Sequence, residues 1–345
     1  MCAIDERKSF VSTSDDVAKA VSAQQPAWLQ TILRTQEFGL FELPVLAILI
    51  IGLSSTHFLS AGNFNDIVTN MAILVIVSCG QMMVVLTRSI DLSVGSIMGL
   101  TAVSVGVVFR DNPELPTILA VVMGVAMGAC LGAVNGVLIA LFRIPPIIAT
   151  LGMLQVYRGV MPRVSFAVHA YQIPEGIIEM TRATILGVPN LISFAVVVAI
   201  VVHLFVTQTR TGRELYAIGS NPDAATLAGI RVDLRIFQVF VLSGFLSGFA
   251  GVLWLSRYAN AETTSAIGFE FQTVASIVVG GVNVFGGSGS VLGVVLGAFL
   301  LAIIKNAMVL AHISALWQQA VQGLAILIAV ILNVMLQRRL KKDGK

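Results

Sequence analysis

The chain consists of long uncharged apolar runs separated by short charged segments. The runs without a charged side chain are residues 43–65, 67–87, 92–109, 115–142, 184–209, 236–256, 271–304 and 306–337. A helix needs roughly 20 apolar residues to cross the hydrocarbon core of a bilayer. None of the runs alternates apolar with polar positions as the strands of a membrane β-barrel do. The pattern therefore predicts an all-α, polytopic membrane protein.

About ten transmembrane helices fit these runs. We predict them at about 43–60, 66–87, 92–109, 116–141, 146–161, 186–207, 236–256, 272–285, 291–310 and 315–337. Helices are required because an unpaired backbone group in lipid costs several kcal/mol. The spans 146–161 and 272–285 are short, so tilted, broken and re-entrant helices all remain open for both.

The composition agrees with this class and divides the chain. Hydrophobic residues make up 57% of the 345 residues and charged residues 11%, whereas an ordinary soluble domain is about 25% charged. Ten charges lie in residues 1–42, seven in 210–235 and six in 338–345. We therefore predict a polar tail at 1–42, a transmembrane domain at 43–337 with a charged loop at 207–235, and a basic tail at 338–345.

Lys and Arg are unevenly distributed between the two sides of the predicted spans. With ten spans and a cytoplasmic N-terminus, fifteen basic residues fall on the cytoplasmic side. The five on the outer side are Arg110, Arg158, Arg163, Arg182 and Arg257. Cytoplasmic loops of membrane proteins carry an excess of Lys and Arg. The count therefore predicts a multi-pass protein with both termini in the cytoplasm, in contact with membrane lipid.

Several glycines recur at every fourth position within the predicted spans. They are Gly124, Gly128, Gly132 and Gly136, then Gly244 and Gly248, and Gly293 and Gly297. Small residues on one face of a helix let two helix backbones approach closely in a membrane. The spacing therefore predicts tight packing between these spans.

The sequence contains no motif for the common chemistries. It has neither a G-x-x-x-x-G-K-[ST] phosphate loop nor an H-E-x-x-H metal motif, and no Ser/His/Asp arrangement can be argued. The only dense basic cluster is the C-terminal tail, which fits a cytoplasmic anchor better than nucleic-acid binding. We therefore expect no catalytic residue, no metal, no cofactor in this chain and no nucleic-acid partner.

Only Lys305 lies well inside an apolar run. Ion-driven carriers usually place several ionisable residues within their spans, because such residues form the ion pathway. Lys305 can also extend its charged end to the interface. An ion-coupled secondary carrier of small solutes is therefore the less favoured alternative, and a membrane scaffold that transports nothing is a third.

The segment 207–235 contains the signals of a short helix. Asn221 suits an N-cap, Pro222 the first helical position and Asp223 the positive end of the helix dipole. Small residues follow, and Gly229 suits the stop. A smooth helix of about two turns would fit a groove on a soluble partner. A solvated connecting loop is the alternative, but it needs neither this cap chemistry nor this small-residue face.

The turn between the second and third spans carries a further polar cluster. Asp91 and Ser93 stand at the start of the third span, where a carboxylate is stabilised by the helix dipole and a serine can cap. Arg88 is placed to pair with Asp91 across the turn. A tight hairpin and a role in a transport pathway are both compatible with this pattern.

Six ordered blocks resemble the membrane permeases of ribose-type (monosaccharide) ABC importers. They are residues 86–96 (Leu-Thr-Arg-Ser-Ile-Asp-Leu-Ser-Val-Gly-Ser), 132–139, 144–153, 157–159 (Tyr-Arg-Gly), 212–225 and 286–298. The likeness runs from about residue 45 to 337. The Leu-Thr-Arg of the first block and the Ile-Pro-Pro-Ile-Ile-Ala-Thr-Leu-Gly of the third are most similar to the autoinducer-2 and rhamnose permeases.

The resemblance implies an ABC importer permease fold in a bacterial inner membrane. It also implies a second permease copy or paralogue, ABC ATPase subunits that bind the ATP, and a periplasmic binding protein that delivers a small neutral solute such as autoinducer-2, rhamnose or ribose. Residues 221–229 would be the helix that docks on the ATPase. The residues expected to couple to the ATPase are Gly212, Arg213, Glu214, Asn221, Pro222, Asp223, Ala224, Ala225 and Gly229.

A neutral polyol needs hydroxyl, amide and a few carboxylate partners along its path. The candidates are Asp91, Ser93, Asn135, Gln155 and Gln272. The same groups serve equally well as hydrogen bonds between packed helices, so both roles remain open for each of them.

Overall fold

The architecture was obtained as a computed structural model, which describes residues 58–164, 171–185 and 187–314 together with scattered positions between 44 and 52 and between 317 and 327. Both predicted tails, most of the predicted span 43–60 and most of the span 315–337 lie outside the described residues. Those predictions therefore stay predictions.

The described residues fold almost entirely into helices. These are α1 (Ala61–Leu86), α2 (Val94–Asp111), α3 (Thr117–Ala140), α4 (Pro146–Val164), α5 (Glu175–Arg182), α6 (Asn190–Gln208), α7 (Arg210–Ser220), α8 (Pro222–Leu227), α9 (Val232–Tyr258), α10 (Phe269–Val279) and α11 (Val291–Leu310). Between α5 and α6, β1 (Thr184–Ile185) pairs antiparallel with β2 (Val188–Pro189), with Thr184 opposite Pro189.

Six of these helices are long and apolar enough to cross a membrane: α1, α2, α3, α6, α9 and α11. Helix α4 coincides with the short predicted span 146–161 and has 19 residues. The expected all-α, polytopic class is confirmed, and the eight predicted spans between 66 and 310 each overlap a described helix.

The bundle has a central helix and an outer layer. In α1, 83% of the most apolar window is buried inside the protein, whereas the share is 22% in both α3 and α6. The outer face of α6 exposes Val196, Val197 and Val201. Because large apolar side chains are exposed there along a spanning helix, this face suits contact with lipid rather than water.

Helices α3 and α9 cross at their glycines. A Cβ on Gly128 would lie 2.6 Å from the Cα of Gly248 and would also collide with the carbonyl oxygen of Gly244. A Cβ on Gly244 would in turn lie 2.7 Å from the Cα of Gly132. The two backbones are therefore in direct contact, which confirms the packing predicted from the glycine spacing.

Helix α10 is a broken span. It has 11 residues, which extend about 16 Å, roughly half of a hydrocarbon core about 30 Å thick. The predicted span 272–285 is wrong at its end, because the helix stops at Val279 and glycine turns follow. Gly281, Gly286 and Gly287 all have positive φ in that stretch, a conformation that a regular helix excludes.

The segment before α10 is held against the middle of α4. Arg158 donates from Nη1 to the carbonyl oxygen of Ser265 at 2.6 Å and from Nη2 to that of Ala266 at 2.8 Å. Gly268 then turns the chain into α10 with φ of 80°. The N-terminus of α10 therefore begins inside the bundle, beside α2 and α4.

Candidate coupling surface and translocation path

Helix α8 forms where the sequence predicts it. The Asn221 side chain accepts hydrogen bonds from the backbone N–H groups of Asp223 and Ala224, both at 3.1 Å, and Pro222 occupies the first turn. Gly229 has φ of 80° just after the helix. The predicted cap, start and stop are confirmed, because each depends on neighbours in sequence.

Helix α8 presents most of its surface outward. Ala225 is buried, whereas Asp223 and Ala224 are exposed. Leu227 at the end of the helix is 90% exposed. This short, capped helix therefore presents an outward face, ending in Leu227, that is accessible to another protein.

The three residues predicted upstream of α8 hold α7 in place. Glu214 is buried and its carboxylate lies 3.0 Å from Arg210 and 2.6 Å from Arg235 of α9. The hydrogen bond from Arg235 is the main reason why the pKa of Glu214 is lowered, and Arg210 adds to it. This carboxylate therefore stays ionised and ties α7 to α9.

Gly212 and Arg213 join α7 to the end of α6. A Cβ on Gly212 would lie 2.5 Å from the Cα of Val206, so only glycine fits there. Arg213 donates to the carbonyl oxygens of Thr207 and Gln208 at 3.3 and 3.1 Å, which satisfies carbonyl groups at the end of that helix.

Arg88 links α7 to the turn between α1 and α2. Its Nε and Nη2 donate to the carbonyl oxygens of Gly219 and Ser220, each at 2.7 Å. The expected pairing of Arg88 with Asp91 is therefore wrong. Arg88 also has a positive φ of 63°, a conformation that is uncommon for a residue with a side chain. The turn is shaped to point this guanidinium at the end of α7, immediately before the Asn221 cap.

A second link joins the same end of the bundle to the glycine turn after α10. The backbone N–H of Gly287 donates to the carbonyl oxygen of Leu86 at 3.1 Å. The Tyr216 hydroxyl of α7 donates to the carbonyl oxygen of Gly289 at 3.0 Å. Helix α7 is thus connected to the α1–α2 turn and to the α10–α11 turn, which meet at this end of the bundle.

Three of the predicted path residues meet in one buried network. Asp91 accepts from the Ser93 hydroxyl at 2.6 Å and from its backbone N–H at 2.9 Å. Asn135 of α3 donates to the Ser93 oxygen at 2.7 Å, and the Tyr157 hydroxyl of α4 lies 3.3 Å from the Asn135 oxygen. Ser93 stands at the N-cap position, but the expected side-chain cap is wrong, because its hydroxyl oxygen accepts from Asn135 rather than from a backbone N–H of α2.

This network connects α2, α3 and α4 rather than lining an open route. Asp91, Ser93 and Asn135 are all inaccessible to solvent. Among the described residues, the second carboxylate oxygen of Asp91 has no hydrogen-bond partner. Of the two roles left open for these residues, the geometry favours hydrogen bonding between helices.

Sequence reasoning did not single out Tyr157 and Arg158. Both belong to the short Tyr-Arg-Gly block at 157–159 that carries part of the family resemblance. This block was the one feature of the sequence that pointed to these two residues. Their contacts could not be predicted, because the partners of both side chains come from distant parts of the chain.

The other two predicted path residues lie apart from this network. Gln155 is on the exposed face of α4. Gln272 lines a cavity of about 960 Å³ at the opposite end of the bundle from α8. The walls of this cavity come from the first half of α1, the end of α9, the segment 259–268, α10 and the end of α11. Lys305 also lines it, which places this intramembrane lysine beside open space.

Residues 63–330 match the family described as the branched-chain amino acid transport system / permease component. The chain belongs to this permease family. The match covers the described bundle from the start of α1 to beyond the end of α11, including the coupling surface and the cavity. No solved structure matches the chain.

Relatives of the permease align over most of their length. The autoinducer 2 import system permease protein LsrC of Salmonella typhi is 32% identical over 87% of this chain and 87% of its own. The D-allose transport system permease protein AlsC of Escherichia coli is 31% identical over 88% of this chain and 93% of its own. A probable ABC transporter permease, y4mJ of Sinorhizobium fredii, is 35% identical over 84% and 86%.

These relatives confirm the expected ABC importer permease resemblance and favour it over the ion-coupled carrier. The permease is a multi-pass membrane protein whose family performs translocation. Among the described residues, no group of three or more His, Cys, Asp or Glu side chains could hold a metal ion.

Proposed function

We propose that this permease forms the membrane path for a small neutral polyhydroxylated solute in an ATP-driven importer. Helix α8 docks on a separate ATPase chain, which binds the ATP. A second permease, identical or paralogous, completes the membrane part, and a periplasmic binding protein delivers the solute. The single observation that carries the proposal is the exposed α8, capped by Asn221 and ending in Leu227.

The way α8 is held supports a role in transmitting force. Arg88 binds the end of α7 immediately before α8, and Glu214 ties α7 to α9. A plain connecting loop needs no such attachments. A push on α8 would reach the α1–α2 turn and α9 directly, because packed helices and charge-assisted hydrogen bonds move as units. The residues predicted to contact the ATPase divide accordingly: Asn221 to Gly229 form the surface, and Gly212 to Glu214 position it.

Orientation and solute class follow from charge and from the relatives. The count of basic residues supports a cytoplasmic location for both termini and for α8. The importer proposed here would lie in a bacterial inner membrane. The relatives are named for autoinducer 2 and D-allose transport, which favours a neutral solute rich in hydroxyl groups. Within this proposal, residues 1–42 and 338–345 are cytoplasmic tails of the membrane domain 43–337.

The test compares two substitutions at one exposed position. Leu227→Asp places a charge where an apolar pocket is expected, whereas Leu227→Met keeps an apolar side chain of similar size. Both should insert and elute like the unaltered protein, because this side chain makes almost no contact within the chain. Purified in mild detergent from the source cells, the unaltered protein and Leu227→Met should bring along an ATPase identified by its phosphate-loop peptide, and Leu227→Asp should lose it.

Uptake into cells provides the functional arm of the same test. Leu227→Asp should abolish uptake. Asn221→Ala combined with Asp223→Lys should reduce uptake, because these two substitutions remove the N-cap and the favourable charge at the start of α8. Uptake that persists with Leu227→Asp, or that needs no ATPase and is abolished by an uncoupler, would contradict the proposal and restore the ion-coupled carrier.

A further inference from the structure

The cavity at the end of the bundle opposite to α8 has three unpaired polar side chains from three helices. Asp66 of α1, Gln272 of α10 and Lys305 of α11 all line it. Within the described part of the chain, the side chains of these three residues form no hydrogen bond and no ion pair. Asp66 and Lys305 are exposed and Gln272 is half-buried, so a solute that enters the cavity can reach all three. A few polar groups that converge on one open space are typical of a binding site for a small molecule.

The cavity reaches well into the bundle. Its walls extend along α1 from Asn63 to Leu74, a separation of eleven residues that corresponds to about 16 Å along the helix. Ala275 of α10 also lines it. Just beyond these residues, the hydroxyls of Ser78 and Ser276 are buried and lie 2.6 Å apart. The cavity is thus open at one end and closed by packed helices toward α8.

The electrostatics of the lining favour an uncharged solute. Its charged side chains are Asp66, Arg257, Glu262 and Lys305, so the two acidic and two basic groups cancel. A net charge of zero gives no overall attraction to an anion or a cation. Carboxylate, amide and ammonium groups together can accept hydrogen bonds from hydroxyls and donate to them.

One wall adds an aromatic surface to these polar groups. The rings of Trp254 and Tyr258 lie 4.4 Å apart, and both residues line the cavity. The cavity thus combines apolar ring faces with hydrogen-bonding groups. This combination suits a molecule that has both C–H faces and hydroxyls. A volume of about 960 Å³ is ample for a sugar-sized solute and its water.

We infer that this cavity is the chamber that receives the solute, and that Asp66, Gln272 and Lys305 bind the hydroxyl groups of a neutral polyhydroxylated molecule. The inference rests on the proposed function for its direction of transport and deepens it by naming the site. Because the break places the start of α10 inside the bundle, Gln272 in its first turn lies at the wall of the chamber. Lys305 is a binding residue there rather than a side chain that extends to the interface.

The test measures occupancy of the chamber without requiring ATP hydrolysis. Gln272→Cys is made in the full chain after Cys2 and Cys130 are replaced by serine; Cys79 is buried and can stay. A water-soluble thiol reagent is added to the purified protein in detergent. Autoinducer 2, D-allose, D-ribose and L-rhamnose are each tested as protecting solutes, with D-gluconate and D-glucosamine as charged counterparts.

At least one neutral solute should slow the labelling of Gln272→Cys several-fold, and the charged counterparts should not. Gln155→Cys is the matched control, because this second glutamine lies on the exposed face of α4, where the solutes should have no effect. Adding Lys305→Met or Asp66→Asn should weaken the protection about five- to tenfold, the value of one lost hydrogen bond.

The inference is overturned if no neutral solute of the panel slows labelling, or if the charged counterparts protect equally well. It is also overturned if Gln155→Cys is protected to the same extent. Because the readout needs no ATPase, failure of the Leu227 test with persistent protection would reject the coupling proposal and leave the chamber standing.

Discussion

Gly128→Ala should destabilise the permease although it adds only one methyl group. Gly128 lies where α3 crosses α9, and an added Cβ would lie 2.6 Å from the Cα and 2.7 Å from the backbone nitrogen of Gly248. Non-bonded carbon atoms normally stay about 3.5–4.0 Å apart. The obstacle is backbone, which has no rotamer to change. The two helices must therefore separate by about 1 Å to accept the methyl group.

The separation weakens every contact along the crossing. A gap of about 0.5–1 Å removes about a quarter to a half of each dispersion contact, and overpacking of this kind costs about 1–3 kcal/mol. Gly152 of α4 supplies the matched control, because a Cβ there meets nothing within 4 Å. At such an open helical position, Gly→Ala should instead stabilise by about 0.5–1 kcal/mol.

The two variants are compared by heating the detergent-purified proteins and measuring the surviving monodisperse peak by size-exclusion chromatography. Gly128→Ala should lose this peak several degrees below the unaltered protein, whereas Gly152→Ala should match or exceed it. Equal midpoints for the two variants would refute the argument that backbone contact, rather than the general properties of glycine, holds α3 against α9.

Two further predictions concern the attachment of α7 and α8. Arg88→Ala removes two charge-assisted hydrogen bonds to the end of α7, so transport in proteoliposomes containing the whole importer should fall at least about tenfold, with less uptake per ATP hydrolysed. Glu214→Gln should lower the thermal midpoint at pH 7, because the bond to Arg235 that depresses the pKa of Glu214 is lost. That stabilisation is complete above the ordinary glutamate pKa of 4.5 and disappears as the pH falls through the lower pKa of the folded protein. The Glu214→Gln midpoint should therefore depend less on pH in this acidic range.

Each of these predictions has a contrary outcome. An Arg88→Ala importer with unchanged uptake per ATP would mean that the hydrogen bonds from Arg88 to α7 transmit no force. The uptake per ATP of Arg88→Lys should lie between those of Arg88→Ala and the unaltered importer, because lysine keeps the charge but lacks the two-pronged guanidinium. A Glu214→Gln protein whose midpoint falls as steeply as that of the unaltered protein between pH 5 and pH 3 would show that other carboxylates carry the acid sensitivity.

Local chemistry was predictable from sequence where its partners are neighbours in the chain. The start of α8 depends on Asn221, Pro222 and Asp223, which lie within three residues, so the cap could be predicted before the fold was known. The spans from 66 to 310 were predictable because a bilayer demands a fixed length of apolar helix. The glycine spacing predicted that α3 and α9 each have a close-packed face, although it did not show that these two helices pack against each other.

Arg88 shows where such reasoning stops. Asp91, three residues away, is the partner that sequence proximity suggests, but the guanidinium binds carbonyl groups more than 130 residues further on. Gln155 and Gln272 show the same limit. Both are glutamines in predicted spans, yet one is exposed on α4 and the other lines the cavity beside Lys305.

The sequence by itself determined that this is a helical membrane protein, where its helices run, and that a capped helix stands out in its largest internal polar loop. These properties depend on the length of apolar runs and on contacts within a few residues. Only the tertiary structure decided which polar groups meet, because helix rotation and the break in α10 set the direction of each side chain. That is why the buried network around Asn135 and the open cavity around Gln272 could not be told apart before the helices were packed.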